Sequence, residues 1–275
     1  MPIVNYKPTS AGRRGMTVVR DADLKKGGPE KSLTVKLRRL AGRNSYGRIT
    51  SRRRDGGAKK MYRLVDWRRR HDGVPARVAS LEHDPYRSAN VALLHYADGR
   101  KSYILAPLGL RSGDTVVSGP GAEPRTGNCL PLSRMPLGSP IHCVEAVPGQ
   151  GARYGRAAGA NITLASREGD YATLIMPSGE MRKVHVDCRG TYGQVGNLDH
   201  ALESIGKAGR NRHKGRRPSV RGSAMSPYAH PLGGGEGRMG AGREPCSPWG
   251  KPSKGTHTRN PRKSSGRLIV RKRKK

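Results

Sequence analysis

A chain of 275 residues with 54 Lys plus Arg against 20 Asp plus Glu has a formal net charge of +34. A compact neutral partner cannot balance such an excess, whereas a phosphate backbone can. Only 33% of the residues are hydrophobic, and none is Phe, so a packed core cannot run the length of the chain.

Residues 1–60 hold 17 basic and 4 acidic side chains, a net of +13. The basic residues come in clusters spaced by Gly and Pro: Arg13-Arg14, Lys25-Lys26, Arg38-Arg39 and Arg52-Arg53-Arg54. This pattern predicts an extended basic arm, with a strand or two at its inner end. From Met61 the pattern changes. Residues 61–205 hold 17 basic and 14 acidic side chains, a net of +3, the balance of an ordinary soluble domain. Short runs of β-forming residues alternate with turn signals, which predicts a mainly β fold. The candidate strands are 61–67, 75–84, 89–96, 100–105, 141–147, 160–166, 170–176 and 181–187. Ala97-Asp98-Gly99-Arg100 and Pro177-Ser178-Gly179-Glu180 read as hairpin turns.

Residues 106–140 are rich in Gly and Pro with little strand signal, which puts a boundary near 125. Two small barrels then fit, 61–125 and 126–196, with a single larger barrel as the alternative. The strongest helical signal lies in 197–213, with Asn197 as its cap and Gly206 as its end. Residues 206–275 hold 20 basic and 2 acidic side chains, a net of +18. Nothing from 206 to 265 can form a core, so both tails are expected to order only against a partner. No run of 18 apolar residues and no apolar leader occur, so no membrane span, secretory signal or transit-like leader is expected.

The motifs of catalysis are thin. Gly235-Glu236-Gly237-Arg238-Met239-Gly240 matches GxGxxG, but it has no strand before it and no helix after it. Its glycines fit close backbone approach to phosphate better than dinucleotide binding. His230 could act as a general base, but no nucleophile or orienting carboxylate accompanies it. A contact with a base or phosphate is the better expectation. Cys129, Cys143, Cys188 and Cys246 lie far apart without a CxxC pair, so no metal site and no cofactor are expected. Scattered thiols also suit a reducing compartment. Two basic clusters, Arg52-Arg53-Arg54 and Arg68-Arg69-Arg70, bracket the first strand and point to phosphate contact over a merely solvated face. Tyr62, Tyr96 and Tyr103 read as core. Trp249, in the basic tail, reads as a stacking residue.

Several blocks in order resemble the bacterial large-subunit ribosomal protein of the universal L-two family. They are Tyr6 to Arg14, Gly42-Arg43-Asn44 with Gly47 to Arg52, Asp84 to Gly99, Arg156-Ala157-Ala158-Gly159 and Gly206 to Arg210. The most specific is Arg221-Gly222-Ser223-Ala224-Met225 followed by His230-Pro231 and Gly233 to Arg238. The resemblance implies an OB-like barrel followed by an SH3-like barrel, with long basic N- and C-terminal extensions of little regular structure. It implies a structural constituent of the large ribosomal subunit that binds its RNA directly and supports subunit association, tRNA binding and the peptidyl-transferase region. The implied partners are large-subunit RNA, small-subunit RNA across the interface and neighbouring ribosomal proteins. No membrane and no free homo-oligomer are implied. The implied location is the cytoplasmic ribosome, and the style of the sequence also fits a plastid-like origin.

Resemblance and charge together name the RNA-binding candidates. In the N-terminal arm they are Arg13, Arg14, Arg43, Arg48, Arg52, Arg53, Lys59 and Lys60, followed by Arg68 and Arg69. In the C-terminal extension, 197–275, they are Lys207, Arg210, Arg212, Lys214, Arg216, Arg217, Arg221, His230, Gly234, Gly235, Arg238, Trp249, Lys251 and Lys254. A part in peptide-bond formation has been proposed for the family through the residue matching His230, and the matter is disputed. Here Ala229 and Leu232 stand where the family usually has Asp and a second His, so the orienting carboxylate is gone. Asp55 and Ala58 likewise stand where Gly and His are usual, which alters the local RNA contacts expected of that turn.

Overall fold

Alternating burial makes Ala76–Glu82 a strand: Ala76, Val78 and Ser80 point inward, while Arg77 and Ala79 point out. A register shift between Val78 and Ser80 then lets Leu81 and Glu82 turn inward as well. The computed structural model describes residues 3–237 and 240–273. The chain divides into two units. The first takes in residues up to Arg38, Lys59–Ala208 and those from Arg267 on, and the second takes in Arg39–Ala58 and Gly209–Gly266.

All the named strands lie in the first unit. β1 (Ile3–Asn5) and β2 (Thr17–Val19) form an antiparallel ribbon, with the single-turn helix α1 (Ala11–Arg14) between them. β3 (Thr34–Val35) pairs with β4 (Tyr62–Arg63). β5 (Ala76–Glu82), β6 (Val91–Tyr96), β7 (Lys101–Leu105) and β8 (Thr115–Val116) make an antiparallel sheet in the order β7-β6-β5-β8. Then follow β9 (Cys129–Pro131), β10 (Pro140–His142), β11 (Val144–Glu145), β12 (Ala152–Tyr154), β13 (Ile162–Glu168), β14 (Tyr171–Ile175), β15 (Met181–His185) and β16 (Arg189–Tyr192). The last is β17 (Ile269–Arg271). Seven of these form one sheet in the order β17-β15-β14-β13-β10-β16-β9, and β11 pairs with β12 apart from it.

The fold is therefore mainly β, an OB-like barrel followed by an SH3-like one, with long basic extensions of little regular structure. β6 is buried on both faces. Ala92, Leu94 and Tyr96 join one apolar cluster with Val78, Ile104 and Val116. Val91 and Leu93 face the other way and join Tyr103, Leu105 and Val195, with Trp67 and Cys143 packed against them. This second cluster carries the core from one barrel to the next. A third cluster, with Leu130, Ile141, Ile162, Leu164, Leu174 and Val184, fills the second barrel.

Polar side chains tie the barrels together. Arg189 holds Asp72 through two hydrogen bonds, at 2.6 and 2.7 Å. Its guanidinium also donates to the carbonyl of Arg69 at 2.9 Å. Arg63 meets Glu82 at 3.1 Å inside the first barrel, and the Tyr103 hydroxyl donates to the same carboxylate at 2.9 Å. A buried charge kept this way is paired and hydrogen-bonded, as it must be.

Two expectations change. The helix expected at 197–213 is a 3-10 turn, Leu198–Leu202, followed by a separate short helix α2 (Ala208–His213). Asn197 does not cap through its side chain. It adopts a left-handed backbone, and its amide donates to the Ser88 carbonyl at 2.6 Å. Gly206 does break the segment: its φ of +77° suits Gly, and a Cβ there would meet the Gly12 carbonyl at 2.6 Å. The C-terminal tail, expected to order only against a partner, also adds an edge strand to the seven-stranded sheet. Leu268, Ile269 and Val270 are a short apolar run among basic residues, and β17 pairs antiparallel with β15. No helix among the described residues is long and apolar enough to cross a membrane.

Candidate nucleic-acid interface

The second unit is where charge outweighs core. Its 78 residues carry 19 basic and 3 acidic side chains, a net of +16. None of the three buried apolar clusters draws on it. Backbone pairing holds it instead. Arg54 bridges antiparallel to Arg216. The Asp55 amide donates to the Gly215 carbonyl at 2.9 Å, and the Ala58 amide donates to the His213 carbonyl at 2.8 Å. Residues 54–58 and 213–216, distant in sequence, thus form one paired segment.

Arg52 and Trp249 meet on this unit: the guanidinium lies 4.7 Å from the ring centroid, and Trp249 is 75% exposed. Such a pair offers a planar cation and an aromatic face together. Arg53 adopts a positive φ of 64° and donates to the Val220 carbonyl at 3.2 Å, which fixes its direction. Arg43, Arg52, Arg53, Arg54 and Arg217 line a cleft of about 270 Å³, with Val220 and Met225 among its apolar lining. Several arginines around one cleft suit phosphate oxygens. Asp55 modifies the next stretch of surface. Its carboxylate lies 3.3 Å from Arg212 and 3.6 Å from Arg217, and it accepts the Gly56 amide at 2.8 Å.

The remaining candidates separate by exposure. Arg48, Lys214, Arg216, Arg221, Lys251 and Lys254 are exposed, as are Arg13, Arg14, Lys59, Arg68 and Lys207 in the first unit. Arg210 and Arg212 are half-buried, and Gly234 and Gly235 have positive φ of 99° and 86°. Lys60 is engaged within its own unit, its ammonium 4.1 Å from the Tyr86 ring centroid. Arg238 lies outside the described residues.

Arg69 departs from expectation. It is 5% exposed, its Nε donates to the Ser118 hydroxyl at 2.9 Å, and its two terminal nitrogens donate to the Gly127 carbonyl at 3.3 Å. Those bonds join the first barrel to the second and leave no donor face for RNA. His230 is also interior, 7% exposed. The hydrogen bond to its ring comes from the Leu232 amide, at 3.1 Å, not from a carboxylate. Its imidazole lies over Gly222, where a Cβ would come within 2.5 Å of Cε1. The ring is a wedge in a turn rather than a base aimed at a substrate.

Reactive groups inside the first unit are silenced by burial. Burial holds the His142 imidazole down to about 4, so the ring is neutral, and its Nδ1 lies 2.7 Å from the Gly193 carbonyl. Burial pushes the Cys143 thiol up to about 12 and the Cys188 thiol to about 12. A thiol that stays protonated is a poor nucleophile. Among the described residues, no group of three or more His, Cys, Asp or Glu side chains could hold a metal ion.

Sequence reasoning missed Arg87 and Arg156. Arg87 lies 4.9 Å from the Tyr62 ring centroid and 5.4 Å from that of Trp67, and Arg156 lies 4.9 Å from that of Trp67. Arg87 also pairs with the buried Asp84. Lone arginines in a segment of balanced charge carry no cluster signal, so nothing short of the fold brings them to one aromatic pair.

Comparison with known proteins agrees with this geometry. Residues 30–118 match the family model described as Ribosomal Proteins L2, RNA binding N-terminal domain. Residues 125–250 match Ribosomal Proteins L2, C-terminal domain. The large ribosomal subunit protein uL2 of Bordetella petrii is 53% identical over 275 residues, covering 100% of both chains. With a double-barrel core, a strongly basic second unit and a full-length relative at that identity, the chain belongs to the ribosomal protein L2 family.

Proposed function

We propose that this protein is a structural constituent of the large ribosomal subunit and a primary binder of its RNA. It acts by binding, not catalysis. The barrels dock as a preformed body, and the basic extensions neutralise phosphate where RNA segments crowd together. In this reading the chain is organised as a basic arm (1–60), an OB-like barrel (61–125), an SH3-like barrel (126–196) and a basic extension (197–275). The exposed basic residues named above, Trp249 and the glycines at 234 and 235 meet RNA, while Arg69 holds the barrels together. The protein works in the cytoplasmic ribosome. There it supports subunit association, tRNA binding and the peptidyl-transferase region, with contacts to small-subunit RNA and neighbouring ribosomal proteins. The observation that carries the reading is the net charge of +16 on a 78-residue unit held together by backbone pairing rather than by a core. The rival reading, in which His230 takes part directly in peptide-bond formation, has no comparable support. The ring is buried, and its hydrogen bond comes from the Leu232 amide rather than from a carboxylate.

The test is binding of the full chain to large-subunit ribosomal RNA across a salt series, with unrelated RNA as competitor. The expected result is binding that survives the competitor at moderate salt. Equal affinity for any RNA, lost steeply as salt rises, would identify a nonspecific polycation.

A further inference from the structure

Tyr46 sits at the tip of a hairpin in the second unit and is 86% exposed. Among the described residues its ring has no hydrogen-bond, aromatic or cationic partner. Folding gains nothing from holding a large aromatic ring in water, yet the loop beneath it is held firmly. The Asn44 side-chain carbonyl accepts the Tyr46 amide at 3.1 Å and the Arg48 amide at 3.0 Å. The Asn44 amide donates to the Arg48 carbonyl at 3.0 Å, and Gly47 closes the turn at φ +75°. Arg43 pairs antiparallel with Ile49 below. At the base, the Gly42 carbonyl accepts the Thr50 amide at 2.8 Å, and Gly42 packs so close that a Cβ would meet the Ser51 carbonyl at 2.3 Å. The ring is thus presented on a prepared support, and little order remains to be imposed on binding.

Charge says what the support is for. From Ala41 to Arg54 the chain has five arginines and no acid. An acidic protein surface would satisfy the arginines and leave the ring without a purpose. A nucleic acid strand satisfies both, with phosphates for the guanidinium groups and a base face for the phenol ring. A base stacked inside a helix has no free face, so an unpaired, splayed base suits the ring best.

We propose that Tyr46 is a stacking platform for an unpaired base of the bound RNA, flanked by Arg43 and Arg48 on the phosphates either side. The proposal rests on the RNA-binding function above and adds a base contact to it. Stacking needs the ring and neither the hydroxyl nor a charge, which sets the test. Protein-free large-subunit RNA is titrated with the full chain, Tyr46→Phe and Tyr46→Ala, across a salt series with unrelated RNA as competitor. Tyr46→Ala is expected to weaken binding by roughly 5- to 150-fold, the range for one stacked base. Tyr46→Phe should bind like the parent, and all three should share one slope of log affinity against log salt, since no phosphate contact changes. An exposed ring without internal partners can be removed without unfolding the chain, and matching far-ultraviolet circular dichroism spectra check this. Parental affinity in Tyr46→Ala overturns the proposal. So does equal weakness in the Phe and Ala variants, which would assign the contact to the hydroxyl. A defect that emerges only when other ribosomal proteins are added would assign the ring to a protein neighbour and overturns it too. If the parent chain itself fails to discriminate ribosomal from unrelated RNA, the functional reading falls and takes the stacking proposal with it.

Discussion

His230 and Arg69 are charged or chargeable residues in basic segments, and both turn inward. For His230 the cause is local: the ring fills the space above Gly222, and the Leu232 amide caps its Nδ1 at 3.1 Å. For Arg69 the cause is the turn made by Asp66, whose carboxylate accepts the Arg68 and Arg69 amides at 2.9 Å. The turn bends Arg69 to a φ of 50° and sends its side chain toward the second barrel, while Arg68 stays exposed. A run of three arginines announces charge. Which of them turns inward depends on a partner, Gly127, that lies 58 residues away. The absence of Asp and a second His beside His230 was legible, because a missing carboxylate is a property of the residues themselves. We therefore expect His230→Gln, assembled into reconstituted subunits, to leave the rate of peptide-bond formation unchanged. General-base catalysis is typically worth about 100-fold or more, so a loss of that size would restore the catalytic role.

At the scale of elements, the strands that were legible carry their own pattern. Residues 76–80 alternate buried with exposed, 91–94 and 172–174 run buried, and Ile162 and Leu164 are buried on either side of a half-buried Thr163. Thr115–Val116, Cys129–Pro131 and Arg189–Tyr192 are too short to show a period. They exist because neighbouring strands offer them a ladder, so only the assembled sheet specifies them. β17 is the extreme case, three residues beside a basic terminus, bonded to β15. The Lys183 amide donates to the Leu268 carbonyl at 2.8 Å, so the strand protects an amide that would otherwise face solvent. Ile269→Gly keeps every charge of the tail while removing a half-buried branched side chain. It should weaken the strand by about 1–2 kcal/mol. Amide exchange at Lys183 should then quicken by roughly a factor of 5 to 30, since a tenfold change corresponds to about 1.4 kcal/mol. Unchanged protection would mean that β17 does not hold that edge in solution. For the same reason a deletion reaching back to residue 206 removes a strand of the second barrel along with the tail.

Over the whole molecule, the proposed function rests on how charge is divided between a core that folds by burial and a strongly basic unit held by backbone pairing. Composition shows the excess of charge in 1–60 and 206–275, but not that residues up to Arg38 belong with the core while Arg39–Ala58 belong with Gly209–Gly266. What composition hides is how much of the charge is free. Asp55 is one of three acids in the second unit, and it stands between Arg212 and Arg217 at 3.3 and 3.6 Å. If these arginines meet RNA as proposed, the Asp55 carboxylate competes with phosphate for both guanidinium groups. Both arginines are 42–50% exposed, so solvent weakens this pairing and a phosphate can still reach them. Asp55→Asn removes the competitor but keeps an oxygen to accept the Gly56 amide, so the turn survives. The slope of log affinity against log salt counts neutralised phosphates at roughly 0.7 each for single strands and 0.9 for duplex. If Arg212 and Arg217 are both released to phosphates, the slope of the full chain should steepen by about 1.4 to 1.8. Affinity should rise at low salt, and the gain should fade as salt increases. An unchanged slope in Asp55→Asn would mean that these two arginines do not reach phosphate, and that the turn at Asp55 serves the protein's own fold instead.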